Sequence, residues 1–330
     1  MHGLVIRTTG SWYKVLSHGD ADLFDCRLRG SYRLRGNKQT NPVAVGDNVE
    51  FRLQDDGTGI IDEVCDRRNY IVRRATKLSK QTHVIAANID RLCIIATLAF
   101  PRTSTGFIDR LLVTAEAYRI PACIILNKCD LYDDDLRAEY LRWQEIYSSA
   151  GYELHAVSAL GGQGIAELRS RIVGQTVLFS GHSGVGKSAL LNALVPELRL
   201  REGDISDWSL KGRHTTTFAE MYPLVTAPDG TFFPLSASPF TAHRSPLTYL
   251  IDTPGIKEFG MVDIHPEELA HYYPEMHRLS AECRYPDCTH RHEPHCAVKT
   301  AVQTGLISPE RYANYLGIYD QILNDAAAKN

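Results

Sequence analysis

The sequence predicts a chain of three domains: a small antiparallel β-barrel, a central α/β domain around a parallel sheet, and a helical module at the C-terminus. Three observations lead there. Up to about Val72, short segments carry apolar residues at every second position, the period of half-buried strands. Apolar strands then alternate with amphipathic helices, the pattern of β-α-β units. Near the end, three of the eight cysteines crowd into one short stretch. A length of 330 residues suits two or three cores. Hydrophobic content of 44% and charged content of 23% are ordinary for packed proteins. A net charge of −3 argues against a uniformly basic nucleic-acid binder and leaves room for a local basic face. No apolar run is long enough to span a bilayer, and "MHGLVIRTTG" lacks the basic start and apolar core of a secretory signal. These features predict a cytoplasmic protein with reduced thiols and no membrane association.

The first domain, residues 1–72, contains "GLVIRTTGSWYKVL", "LFDCRLRG", "VGDNVEFRL" and "GIIDEVCDRRNYIVR". Gly, Asp and Asn punctuate these strands as turns, and a five-strand OB-type barrel accounts for them. Arg27, Arg29, Arg33, Arg35, Arg67, Arg68, Arg73 and Arg74 concentrate here. Guanidinium forks suit phosphate, so this is the candidate RNA-binding face, the other reading being solvated loops and strand ends.

The second domain, residues 73–262, strings together "RLCIIATL", "FIDRLLVTAEAYR", "ACIILNKCD", "LRAEYLRWQEIYSSAG", "ELHAVSAL", "GIAELRSRI", "TVLFSG" and "GKSALLNAL". Ligand loops of such a sheet open at the carboxyl ends of its strands. "TVLFSGHSGVGKSALL" is strand, glycine loop and helix, the context a P-loop requires. Gly181, Gly184 and Gly186 let backbone N–H groups turn toward phosphate oxygens, with His182, Ser183 and Val185 between them. Lys187 adds positive charge, Ser188 offers a hydroxyl to Mg²⁺, and Ala189 follows in the first helical turn. In "IDTPG", Asp252 is placed to hold Mg²⁺ through water and Gly255 to offer its N–H to the γ-phosphate.

"NKCD" supplies a base reader. The Asp130 carboxylate accepts from N1–H and the N2 amine of guanine, which adenine lacks, so GTP is favoured and an ATP-driven kinase disfavoured. Asn127 is expected to tie the base and loops together, and the Lys128 stem to lie over the ring. Ser158 and Ala159, in "VSAL", stand where a loop would border guanine O6. The order along the chain is base reader, second base loop, phosphate loop, switch I, switch II. That is a circularly permuted P-loop GTPase: joining old ends and opening a loop elsewhere keeps every strand in place. In "LKGRHTTTFAE", Thr216, with Thr215 as the alternative, is expected to reach Mg²⁺ when the γ-phosphate is present. After "DTPG" stands Ile256, which cannot orient water, so slow intrinsic hydrolysis is expected, with His214 as candidate catalytic residue. Thr226 to Pro246 is a Pro- and Ser-rich excursion.

The third domain, residues 263–330, is helical, with Ser308 capping the last helix. "CRYPDCTHRHEPHC" places Cys283, Cys288, His290 and Cys296 in an array suited to one structural Zn²⁺, with His292 and His295 competing for the histidine position.

The permuted order "NKCD", "GHSGVGKS", "GRHTTT", "DTPG", preceded by "VGDNVEF" and "ANIDRL" and followed by the Cys/His array, resembles the RsgA (YjeQ) family of ribosome small subunit-dependent GTPases over nearly the whole chain. The resemblance implies an OB barrel, a permuted GTPase and a zinc domain in a monomer, with low intrinsic GTP hydrolysis stimulated by the small ribosomal subunit and its rRNA during late assembly. The family lacks the water-orienting glutamine, in agreement with Ile256, and a histidine in its threonine motif is a candidate catalytic residue, matching His214. The excursion at Thr226 to Pro246 is longer than its relatives carry. A different reading is a GTP-binding, RNA-associated regulator with negligible turnover.

Overall fold

The computed structural model describes residues 1–30, 41–74, 82–200, 219–237, 247–252 and 264–327. Five strands, β1 (His2–Thr9), β2 (Trp12–Ser17), β3 (Leu23–Leu28), β4 (Asn48–Leu53) and β5 (Gly59–Val64), form the N-terminal barrel. β1 pairs with β2, β2 with β3, β3 with β5 in parallel, β5 with β4, and β4 back with β1, which closes the ring. Alternating residues Val5, Tyr13, Val15, Cys26, Val49, Phe51 and Ile61 fill its interior.

"VGDNVEF" and "ANIDRL" meet at the joint between barrel and central domain. The Ala87 N–H donates to the Val45 carbonyl at 2.9 Å and the Asn88 amide to the Gly46 carbonyl at 2.8 Å. Gly46 is in the left-handed region, and a Cβ there would fall 2.1 Å from the Ala87 carbonyl oxygen. Only glycine allows this approach. The "NYIVR" segment is not a barrel strand. β6 (Tyr70–Arg74) pairs with β7 (Thr82–Ala87) in a separate two-stranded sheet, so a boundary drawn after residue 72 falls within a hairpin.

The central domain contains β8 (Arg91–Ala96), α1 (Thr105–Ala117), β9 (Ala122–Leu126), α2 (Asp134–Ala150), β10 (Glu153–Ala156), α3 (Ile165–Ile172), β11 (Thr176–Ser180), α4 (Lys187–Leu194), β12 (Glu220–Thr226), β13 (Phe232–Pro234) and β14 (Thr248–Asp252). In space the strands run β10-β9-β8-β11-β14-β12. The first five are parallel and β12 is antiparallel to β14. The strand of the phosphate loop, β11, lies in the middle although three sheet strands of the domain, β8, β9 and β10, precede it in the chain. Part of the Thr226 to Pro246 excursion is a hairpin: "PDG" turns the chain so that β13 pairs back on β12, burying Phe232. β1 joins the far edge of β12 through the Arg7–Glu220 pairing, so the barrel continues this sheet.

The C-terminal module comprises a short 3₁₀ segment, Pro266–Tyr272, then α5 (Pro274–Ser280), α6 (Ala297–Gln303) and α7 (Pro309–Ala327). Its core includes Leu269, Tyr273, Met276, Val298, Tyr315 and Ile318, and takes in Val113 from α1. The joint is also ionic. The buried Arg311 guanidinium donates to Asp109 on α1 at 2.6 Å and to both oxygens of Glu275 at 2.8 and 3.1 Å, and it lies 4.6 Å over the Tyr273 ring. Burial drives the Asp109 carboxyl up, opposed by the facing Arg311 and the Asn314 amide.

Arg311→Met strands two buried carboxylates and is expected to cost about 3–5 kcal/mol, read by urea denaturation at neutral pH. A carboxyl raised by folding contributes stability at low pH that is lost as pH rises through its folded value. The deficit of the variant relative to wild type should therefore shrink as pH is lowered from neutrality toward the carboxylate range. A pH-independent deficit would show that the carboxylates are not its source.

Candidate nucleotide site and metal cluster

The phosphate loop, Gly181 to Ser188, leaves the end of β11 and enters α4 at Lys187. Gly184 and Gly186 have φ values of +87° and +86°, so these turns require glycine. Val185 is buried beneath the loop and anchors it to the core. Lys187, Ser188 and Ala189 form the first turn of α4, with Lys187 and Ser188 buried. The Lys187 ammonium ion-pairs with the Asp252 carboxylate at the end of β14, which brings the "DTPG" aspartate to the phosphate loop.

The base reader stands beside this loop because β9 is two strands from β11 and ends at the same edge. Asn127 is buried, and its amide performs two tasks. Its Nδ2 donates to the Val185 carbonyl at 2.9 Å, and its Oδ1 accepts from the Ala159 N–H at 3.1 Å. One side chain thus joins the loops carrying "NKCD", "GHSGVGKS" and "VSAL". The Lys128 Nζ donates to the Gly184 carbonyl at 2.8 Å and also to the Phe100 carbonyl, which stretches its stem beside the phosphate loop. Asp130, in a one-turn 3₁₀ segment, is exposed at the rim. The second base loop is rigid: buried Ser158 donates its N–H to the Gln163 carbonyl at 2.9 Å, and its hydroxyl accepts from the Gly161 N–H at 2.8 Å.

A contact that sequence reasoning missed covers the phosphate loop from the other side. His182 Nδ1 donates to the Ser183 carbonyl at 3.0 Å, and its Nε2 meets the Thr103 hydroxyl at 2.7 Å. The ring also stands edge-on to Phe107 of α1, 5.4 Å between centroids. "LAFPRTS" follows β8 at the carboxyl edge of the sheet, and that position was the available signal. His214, Thr215, Thr216, Gly255 and Ile256 lie outside the described residues.

The arginines of the barrel have diverse roles. Arg67 grips the fully buried Asp47 with two bonds of 2.7 and 2.8 Å, an internal structural pair. Arg68 pairs with Asp90 at 2.6 Å, Arg29 with Asp62 at 3.6 Å, and Arg27 stacks 3.9 Å over Trp12. Burial pulls the half-buried Arg73 down. Arg33, Arg35 and the Arg74 side chain lie outside the described residues.

In the C-terminal module, Cys283, Cys288, His290 and Cys296 place one donor atom each within 4.8 Å of one another. His290 Nδ1 lies 3.6 Å from Cys283 Sγ and 3.4 Å from Cys296 Sγ, while Nε2 faces the Ser280 hydroxyl at 3.3 Å. His290, and neither His292 nor His295, belongs to the group. Burial lowers the His290 imidazole, which favours the neutral ligand form. It pushes the Cys288 thiol up to about 12, so a nearby dication is what would favour the thiolate. α7 holds the knuckle through Tyr312 and Tyr315, whose hydroxyls donate to the His290 and Thr289 carbonyls at 2.7 Å each. Four donors with an oriented second imidazole nitrogen fit a closed tetrahedral metal site.

Asn127→Ala leaves the Val185 carbonyl and the Ala159 N–H without their partner. The nucleotide-free protein should lose about 1–3 kcal/mol, measured by chemical denaturation, and nucleotide affinity should fall with it. Wild-type stability and affinity in this variant would show that the three loops hold together by other means.

The sequence pattern of the RsgA GTPase family matches residues 64–231, and that of the RsgA N-terminal domain matches residues 2–61. A small ribosomal subunit biogenesis GTPase RsgA of Bacteroides fragilis is 48% identical over 97% of this chain and 96% of its own length. Its counterpart in Flavobacterium johnsoniae is 44% identical over 97% and 93%. Among solved structures, YjeQ from Thermotoga maritima superimposes with a TM-score of 0.75 at 34% identity, covering 98% of each chain. YloQ, described as a circularly permuted GTPase, superimposes with a TM-score of 0.71 at 26% identity, covering 98% of this chain and 95% of its own.

Proposed function

The chain belongs to the RsgA GTPase family, and from that membership we propose that it binds the small ribosomal subunit and hydrolyses GTP to GDP and phosphate during late subunit maturation. The observation that best supports this is the double hydrogen bond of Asn127, which brings a guanine reader against a phosphate loop from which it is separated in the chain. Asp130 selects guanine, Lys128 lies along the base, and Ser158 and Ala159 border its O6 edge. The loop from Gly181 to Ala189 takes the phosphates. Lys187 now bonds Asp252, and in the nucleotide complex it turns to the β- and γ-phosphate oxygens, which frees Asp252 for the metal side. Ser188, Thr216 and Asp252 are the residues that would hold Mg²⁺, which when bound neutralises charge between β- and γ-oxygens. Gly255 offers its N–H to the γ-phosphate, and His214 positions the attacking water in place of a glutamine.

Cys283, Cys288, His290 and Cys296 would hold one Zn²⁺, which when bound cross-links a segment too small for a core of its own. The barrel and this module grip rRNA. The protein works as a monomer in the cytoplasm. No described helix is long and apolar enough to cross a membrane.

Phosphate release titrated with purified small subunits tests the reading. Basal turnover should be slow and rise by about tenfold or more with subunits, and a flat titration would remove the proposal. His214→Ala should abolish the rise and spare GTP affinity; a normal rise would exclude that histidine. Cys283→Ser should lose the stoichiometric zinc of wild type by elemental analysis and loosen hydrogen-exchange protection of α6 and α7. Zinc content equal to wild type would disprove the ligand set.

A further inference from the structure

The loop between β8 and α1 presents one side chain that the nucleotide reading does not use. Thr97 and Thr103 close it. The Thr97 N–H donates to the Thr103 hydroxyl at 3.0 Å, and the Thr103 N–H to the Thr97 carbonyl at 2.8 Å. The closed loop rests on the phosphate loop at two points and on the "NKCD" loop at a third. Thr103 meets His182 at 2.7 Å, the Phe100 carbonyl receives the Lys128 ammonium, and a Cβ on Gly184 would come within 3.2 Å of Pro101 Cδ. On this braced support the Phe100 ring stands out, 74% exposed, on a residue with φ of +53°. Bulky residues avoid that region, and large rings avoid water. A side chain held against both tendencies at the rim of an active site is a candidate contact for a partner.

The surroundings indicate what kind of partner. Pro101, Arg102 and Ser104 are its exposed neighbours along the chain, so among these described residues the ring is flanked by a cation and a hydroxyl. The Arg102 side chain is 72% exposed, and its bond to Glu139, at 3.2 Å, is longer than the two that Arg142 makes to the same carboxylate, 2.7 and 2.8 Å. Its guanidinium can therefore exchange partners cheaply. An exposed flat ring beside an exposed guanidinium suits an unpaired base and its phosphate.

We infer that Phe100 and Arg102 are a docking contact for single-stranded RNA of the stimulating particle, with the ring stacked on a base and the guanidinium on a phosphate. Docking here bears on the loop that holds Lys128, Gly184 and His182, so the partner acts on the phosphate loop from outside the nucleotide pocket. The inference rests on the reading that small subunits stimulate turnover.

The test measures GTP affinity, basal turnover and subunit-stimulated turnover of wild type, Phe100→Ala and Phe100→Trp, with co-sedimentation on subunits in parallel. Phe100→Ala should keep affinity and basal turnover, lose about tenfold of the stimulation and bind subunits more weakly, and Phe100→Trp should restore both. A photo-reactive phenylalanine analogue at position 100 should cross-link to RNA, as shown by nuclease sensitivity of the adduct. Normal stimulation and binding in Phe100→Ala would overturn the inference, as would a weakened GTP affinity, which would place the ring on the nucleotide, or an adduct sensitive only to protease. Unstimulated wild type would instead defeat the underlying reading, and the RNA contact would then be decided by co-sedimentation and cross-linking.

Discussion

The nucleotide site depends on one buried amide. Asn127 can donate and accept at once, and it spends one bond on the phosphate loop and the other on the second base loop. Neither partner group is easily satisfied elsewhere, because an unpaired polar atom in a buried setting carries a desolvation penalty. The three loops therefore adopt one mutual arrangement. Lys128 reinforces it from the outer side by bonding the Gly184 carbonyl. The stretches "NKCD", "GHSGVGKS" and "VSAL", separate in the chain, are thereby joined at one edge of the sheet.

Permutation keeps this geometry and changes what is attached to it. The sheet order β10-β9-β8-β11-β14-β12 places the phosphate loop centrally, whichever strand the chain reaches first. The new connectivity sets the barrel against β12 through Arg7 and Glu220. From "DTPG" the chain runs on into the C-terminal module with its Cys/His cluster.

The C-terminal module is held by two unlike devices. The Cys/His cluster gathers four donor atoms in a short segment, and α7 carries that segment through Tyr312 and Tyr315. Arg311, on the same helix, locks the module to α1 through Asp109. A buried guanidinium with two carboxylates adds little net stability compared with apolar packing, but it tolerates few alternative alignments. Tyr312 and Tyr315 hold the knuckle on α7, and the ion network ties that helix to α1.

The sequence by itself determined the local pattern: period-two strands, the glycines at 184 and 186, the aspartate of "NKCD" and the C-x₄-C-x-H-x₅-C spacing. Each is legible because neighbouring residues impose backbone and ligand geometry over a few positions. Only the tertiary structure decided that Arg67 serves Asp47 inside the barrel, that "NYIVR" pairs with β7, that His290 is the histidine of the cluster, and that the loop after β8 braces the phosphate loop. Arg67 and Asp47 stand 20 positions apart in the chain, and Thr103 and His182 of the brace 79. Burial and pairing between distant segments leave no periodic trace in either one, so their physical choice is made only when the chain is packed.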